Sequence, residues 1–364
     1  MKVLQVVDGT GWGGTKEQVY LITRELKKKS VDVQIALNQN YHQMIEKLKL
    51  YEVPIHFFEE DKPNPRYRWS NYRRLIDIVN RGRFDIVVAN SPKAMDYVAL
   101  CSYFFKPKPK IVAVRRSGRV PSLLSKYLKY SKADRIVVVS EDVRGLLEKV
   151  GFFPDRLVTI KSGVDLSRFK PDREKRSIIR ERLRIKEDTK LFINVANWQL
   201  QVKAQDKLVE VFAKLGCSNC CLLLVGLDTD KYATEFADKF GIADKVIGLG
   251  FREDIPELLN ASDFFLLSSN LEGIAGSLLQ AMACGRVVLS TLAGGIGEYL
   301  KDGYNGFSVA VRDFDNFLKK LNILLNLPEE EYRRISENAL KTAMEYSIEK
   351  TAEGYIKLFE ELLK

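Results

Sequence analysis

A carboxylate and a carboxamide, Glu272 and Gln280, bracket the run Gly273-Ile274-Ala275-Gly276-Ser277-Leu278-Leu279. A carboxylate accepts hydrogen bonds from ligand hydroxyls. A glutamine accepts them too, but without the charge that makes such bonds roughly twice as strong. The apolar run Phe264 to Leu267 reads as a buried strand, and Ser268, Ser269 and Asn270 as a polar turn. Leu278, Ala281 and Met282 then fall on one helical face. Glu272 is therefore expected at a strand's carboxyl end, where open α/β sheets bind ligands. Gly273, Ile274, Ala275, Gly276 and Ser277 are expected at a helix start, whose unpaired N–H groups and partial positive charge suit a phosphate. The small residues among them let a ligand come close to the backbone.

The elements that must position these groups alternate strand and helix along the chain. Met1 to Val7 reads as the first core strand, followed by the loop Gly9-Thr10-Gly11-Trp12-Gly13-Gly14-Thr15 and a helix with Val19, Leu21, Ile22 and Leu26 inward. No Gly-Lys-Ser/Thr follows, so this is no Walker loop. The next strand, Val31 to Leu37, ends at Asn38 and not at an acid, which weakens a dinucleotide reading. A positive-φ turn is the plain alternative for Gly13 and Gly14. Later strands end at Asn90 with Lys93 beyond, and at Arg115-Arg116-Ser117-Gly118-Arg119. Ser140 reads as a helix N-cap. Residues 66–78 read as one helix, and the charged stretch 169–184 as the connection between domains. Lys203 follows the strand Leu191 to Ala196 and precedes a helix with Leu208, Val211 and Phe212 inward.

The chain of 364 residues is long for one core and suits two domains. No apolar run reaches the roughly 18 residues of a membrane span, and the first residues read as a strand, not a secretory leader. Two His and five Cys leave little for a metal site. Asp228 and Asp230 form an acidic loop for which metal binding is disfavoured, and Cys217, Cys220 and Cys221 read as buried thiols. The net charge of +10 is concentrated: residues 62–135 carry 18 Lys or Arg and four Asp or Glu. Such asymmetry points to an anionic partner for the N-terminal half.

The Glu272-to-Gln280 spacing, Ala281-Met282-Ala283-Cys284-Gly285 and Gly294-Gly295-Ile296-Gly297-Glu298 together resemble family 4 retaining glycosyltransferases. The resemblance covers most of the chain and implies the GT-B fold: two Rossmann-like, doubly wound parallel-sheet α/β domains facing a cleft. The expected domains are 1–168, with the last helix at about 346–364 packing back on it, and 169–345. The resemblance implies a nucleotide-sugar donor held by Lys203, Glu272, Gly273 to Ser277, Gln280, Gly13 and Gly14, with backbone at Phe251 and Arg252 lining the base. The Phe251 ring itself is expected in the core. The family's second basic residue is absent, Asn197 to Gln199 standing in its place, and Ala204 replaces a glycine. Arg116 is the candidate for the missing cation, and Asn90, Lys93, Arg115 and Arg119 for acceptor contacts. The implied reaction is metal-independent, retaining transfer to a membrane-associated, anionic glycolipid of lipopolysaccharide type. The expected location is cytoplasmic, on the inner face of the membrane. A protein that binds nucleotide-sugar or nucleic acid without transfer is the alternative.

Overall fold

Ile86-Val87-Val88-Ala89 is apolar at every position and fully buried. A strand of that kind needs cover on both faces, as in a parallel sheet between helix layers. The computed structural model describes residues 1–60 and 64–364. It divides into two units, Met1–Gly163 with Ile348–Lys364, and Val164–Ser347.

The first unit holds seven parallel strands: β1 (Lys2–Val6), β2 (Asp32–Asn38), β3 (Ile55–Glu59), β4 (Ile86–Ala89), β5 (Lys110–Arg115), β6 (Arg135–Val138) and β7 (Leu157–Thr159). Their order is β3-β2-β1-β4-β5-β6-β7. Leu4, Val6, Val87 and Ala89 pack on one face, Val3, Ile86 and Val88 on the other. Leu21, Ile22 and Leu26 of the helix Gly14–Lys28 cover the second face beside Tyr355, Leu358 and Phe359 of the closing helix Ile348–Leu363.

The second unit holds β8 (Lys190–Val195), β9 (Cys220–Val225), β10 (Val246–Gly248), β11 (Phe264–Leu267), β12 (Val287–Thr291) and β13 (Phe307–Val309), in the order β10-β9-β8-β11-β12-β13. Both sheets are doubly wound and Rossmann-like. Each order reverses once, between β1 and β4 and between β8 and β11. At such a reversal the crossovers leave on opposite faces, and the loops beyond the strand ends open a crevice.

Four local expectations change. β3 was not among the strands read, because only Phe58 and Glu59 of its five residues are buried and an edge strand shows little periodicity. Residues 66–78 are not one helix: Pro65–Tyr67 form a 3₁₀ turn, Arg68 is extended, and the helix is Trp69–Gly82. The stretch 169–184 is no bare connection. It contains the helix Arg173–Arg182, in which Arg180 is 1% exposed and bonded to Ala261 O, Thr189 O and Asp263 Oδ2. Finally, Cys217 and Cys220 are not thiols but a disulfide, their Cα atoms 5.7 Å apart and so within bridging range; Cys221 is a buried thiol.

Glu59 ends β3 as a buried carboxylate. It accepts from Gly9 N at 2.6 Å, from the Tyr97 hydroxyl at 2.9 Å and from Asn38 Nδ2 at 3.3 Å. Glu59→Ala leaves three donors without that acceptor, so we expect a loss of about 3 kcal/mol or more in urea unfolding. A loss under about 0.5 kcal/mol would mean that water replaces the carboxylate.

Candidate functional site

The reversal of the second sheet places the loop after β8 beside the loop after β11. Ser268 Oγ donates to Lys203 O at 2.8 Å, and Asn270 N to Val202 O at 2.8 Å. These bonds lock the two loops together. Their consequence is an ion pair between residues 69 positions apart: Lys203 Nζ lies 2.6 Å from Glu272 Oε1, which also accepts from Ser269 Oγ at 2.6 Å. The Glu272 side chain is 9% exposed and that of Lys203 22%. A third loop braces the pair, with Gly295 N donating to Gly273 O at 3.0 Å and the buried Tyr299 hydroxyl to Ile274 O at 2.8 Å. Burial, and then the Glu272 carboxylate, push the Tyr299 hydroxyl far above its ordinary pKa.

Two strained residues flank the pair. Ala204 (φ 50°) and Ala275 (φ 50°) both sit in the left-handed region, where a Cβ costs about 1–2 kcal/mol. Ala275 is the N-cap of the helix Gly276–Ala283 and offers no side-chain acceptor. The N–H groups of Gly276 and Ser277 have no intrahelical partner. Leu278 N and Leu279 N turn back to Ala275 O. Gly273, Ile274 and Ala275 are buried, Gly276 is exposed, and Ser277 and Gln280 are half-buried. Gln280 lies one turn beyond Gly276 on the same helical face. Phe251 corrects its expectation: the ring is 42% exposed and outside the core. The Arg252 guanidinium is taken up by Asp254.

The reversal of the first sheet does the same for the loops after β1 and β4. Asp8 accepts from Ser91 Oγ, and the Lys16 ammonium donates to Asp8 O. Asn90 Nδ2 donates to Gln5 Oε1 at 2.6 Å, and Arg116 Nη1 to Asn90 O at 2.7 Å. Lys93 is exposed. Burial lowers Lys16 from its ordinary pKa, against the pull of Asp8 and Glu59; Arg116 and Lys93 lower it further. Burial likewise lowers Arg116, with Tyr355 opposing. Arg115 does not join this group. It is 5% exposed, its guanidinium bonded to the Tyr130 hydroxyl at 2.7 Å and to Arg119 O, over the Tyr130 and Phe152 rings. Its chemistry is that of a buried strut, and Arg119 serves it through a carbonyl.

Gly13 and Gly14 prove not to be conformational glycines. Gly13 is extended at φ 176°, and a Cβ on either residue would meet nothing within 4 Å. Their missing side chains leave open space before the helix Gly14–Lys28. Gly14→Val is expected to hold stability within about 0.5 kcal/mol yet raise the KM of whatever approaches that helix start by roughly tenfold, about 1.4 kcal/mol. Paired thermal melts and steady-state kinetics check both parts.

The family model for glycosyl transferases group 1 matches residues 175–342, and that for glycosyltransferase family 4 matches residues 12–168. The chain belongs to the family 4 glycosyltransferases. Across 94% of both chains this glycosyltransferase is 25% identical to the N,N'-diacetylbacillosaminyl-diphospho-undecaprenol alpha-1,3-N-acetylgalactosaminyltransferase of Campylobacter jejuni. Over 50% of its length it is 33% identical to 48% of the N-acetyl-alpha-D-glucosaminyl L-malate synthase of Bacillus anthracis. Its fold is that of Anabaena HepE, crystallised with UDP and glucose (TM-score 0.86, 18% identity, 99% and 100% of the two chains covered). It is also that of WaaG, a glycosyltransferase involved in lipopolysaccharide biosynthesis (TM-score 0.75, 19% identity, 98% and 99% covered). The fold is therefore GT-B and the chain, by family, a glycosyltransferase.

Sequence reasoning missed Asp8, Lys16, Glu59 and Ser91 in this glycosyltransferase. A signal existed for Asp8 and Ser91, polar residues just past apolar strands. Lys16 and Glu59 had none, since their place depends on which strands are neighbours. Among the described residues no group of three or more His, Cys, Asp or Glu is arranged to hold a metal. Asp228 pairs with Lys231 at 2.6 Å.

Proposed function

We propose that the enzyme transfers a sugar from a nucleotide-sugar, with retention and without a metal, to a membrane-associated anionic glycolipid in the assembly of lipopolysaccharide or another cell-surface glycan. The observation that carries this reading is the 2.6 Å Lys203–Glu272 pair beside the open N–H groups of Gly276 and Ser277. Bond cleavage leaves negative charge on a diphosphate. The Lys203 ammonium has three donors, so it can keep Glu272 and still meet a phosphate oxygen. The two amides, already oriented, add to it without reorganising. Glu272, held by Lys203 and Ser269, suits the gripping of sugar hydroxyls and not attack on carbon. Gln280, half-buried one turn beyond Gly276, suits accepting from a ribose hydroxyl. Attack from the leaving group's own face follows from the family likeness.

On the acceptor side, Lys16, Lys93 and Arg116 gather at the strand ends of the first unit and suit an anionic group. The Campylobacter relative is named for a diphospho-undecaprenol acceptor and WaaG for lipopolysaccharide biosynthesis, which supports a lipid-linked acceptor here. The test is a thermal-shift panel of UDP-, GDP-, ADP- and CMP-sugars on the wild type and Lys203→Ala. One base is expected to stabilise the wild type by about 2.7 kcal/mol at 100-fold excess over Kd, and the variant much less. No shift with any sugar nucleotide overturns the donor reading. Transfer that EDTA abolishes and Mg²⁺ restores overturns metal independence.

A further inference from the structure

The disulfide Cys217–Cys220 closes a very short ring, three positions of sequence across the turn that joins the helix Gln205–Lys214 to β9. The constraint that a bridge puts on the unfolded chain grows with the length of the loop it closes, so this one constrains little. Its two sulfur-bearing residues differ in exposure. Cys220 is 4% exposed as the first residue of β9, whereas Cys217 is half-buried between the exposed Gly216 and Ser218. Both pack on the apolar cluster of Phe212, Leu222 and Leu224, so opening the bridge leaves each side chain a place as a small hydrophobe. Other bonds hold the turn. Lys245 Nζ donates to Cys217 O at 3.0 Å, Lys190 N to Asn219 O at 3.0 Å and Thr189 Oγ1 to Asn219 Oδ1 at 3.0 Å, which ties it to the amino ends of β8 and β10. The far end of the helix is fixed separately, by Ser268 Oγ to the carbonyls of Lys203 and Ala204. The bridge therefore neither builds the turn nor places Lys203. The remaining thiols stand apart from it. Cys221 is the next residue, but successive strand residues face opposite sides of a sheet, and burial pushes its thiol up to about 11. Cys101 and Cys284 are buried elsewhere, and burial pushes each up to about 12.

We propose that Cys217–Cys220 is a reversible thiol–disulfide exchange site, opened on the folded protein by a dithiol and entered at the Cys217 sulfur. A thiolate of the dithiol attacks Cys217 Sγ; the S–S bond breaks, and Cys220 leaves with the electron pair and takes up a proton. The second thiol of the reductant then attacks its own sulfur in the mixed disulfide, and Cys217 leaves as a thiolate and is protonated in turn. The pair gains two electrons and two protons, and the dithiol becomes a disulfide. The enzyme thus has two folded forms that differ in durability and not in the donor site. The experiment counts thiols on the full chain, prepared without reductant, by iodoacetamide tagging in guanidinium and mass spectrometry. It is run before and after incubation of the native protein with dithiothreitol. Three tags are expected before and five after, the two new ones on Cys217 and Cys220. In urea the reduced form is expected to unfold with an equilibrium constant about 20-fold larger, the constraint of a loop this short, and oxidised glutathione is expected to reverse the change. C217S/C220S is expected to match the reduced form with or without dithiothreitol. Five tags before any reductant overturn the proposal, and so do three after it, which would mean a sealed bridge. A reduced chain that unfolds outright, or one whose urea curve does not move, overturns it as well. Tag counts and urea curves need no ligand, so failure here is separate from failure of the donor reading.

Discussion

Glu272→Gln and Lys203→Ala are each expected to slow transfer by about 100- to 1000-fold, and the double variant by little more than the worse of the two. The reason lies in the shared bond. Lys203 Nζ and Glu272 Oε1 are 2.6 Å apart, so each orients the other, and losing either impairs the one chemical step that both serve. The two variants should still differ in kind. Glu272→Gln keeps the ammonium and is expected to retain the stabilisation by nucleoside diphosphate while kcat falls. Lys203→Ala removes the only side-chain cation of the pair and is expected to weaken that stabilisation as well. Rate losses that multiply in the double variant would show that the residues act independently. Glu272→Gln with a kcat near wild type would end the assignment of Glu272 to the sugar.

Gly294→Ala is expected to cost about 2 kcal/mol or more in stability and about 100-fold in rate, although the residue itself does no chemistry. Gly294 has φ +58°, where a Cβ alone costs about 1–2 kcal/mol. That Cβ would stand 2.2 Å from the carbonyl oxygen of Glu272, a backbone atom that cannot swing aside. The loop carrying Glu272 must shift, and a displacement of about 1 Å in a positioning group can cost 100-fold. Gly297→Ala, three residues on, is the control. Its Cβ would meet nothing within 4 Å and its φ is not positive, so a change under about 0.5 kcal/mol is expected. Urea unfolding and single-turnover rates of both variants decide the matter; equal behaviour would mean that the Gly294 turn is not what holds Glu272.

Some of this was legible in the chain before any coordinates. The fully apolar strands, the strand–helix alternation and the capping Ser140 can be read directly, because each depends on neighbours a few residues away; Ser140 Oγ does accept from Val143 N. The run from Glu272 to Gln280 showed its own strand–turn–helix form for the same reason. What local reading misjudged were residues whose surroundings come from elsewhere. Arg115 and Arg116 are adjacent in sequence, yet Arg115, the last residue of β5, turns to Tyr130 and Phe152 while Arg116, just past the strand, reaches Asn90. Phe251 reads as core by residue type, yet it stands exposed after a glycine turn. Leu123, Leu124 and Leu128 stand exposed, which residue type alone does not show.

The order of residues by itself determined the parallel α/β class, the family and the polar groups waiting at strand ends, since hydrophobic period and small-residue spacing are local properties. Only the tertiary structure decided which strand ends are neighbours. The reversal of strand order between β8 and β11 brings Lys203 to Glu272, and the reversal between β1 and β4 brings Asp8 to Ser91. Register and burial, set by long-range packing, then chose which of the many cations became struts, which became partners, and which were left facing outward.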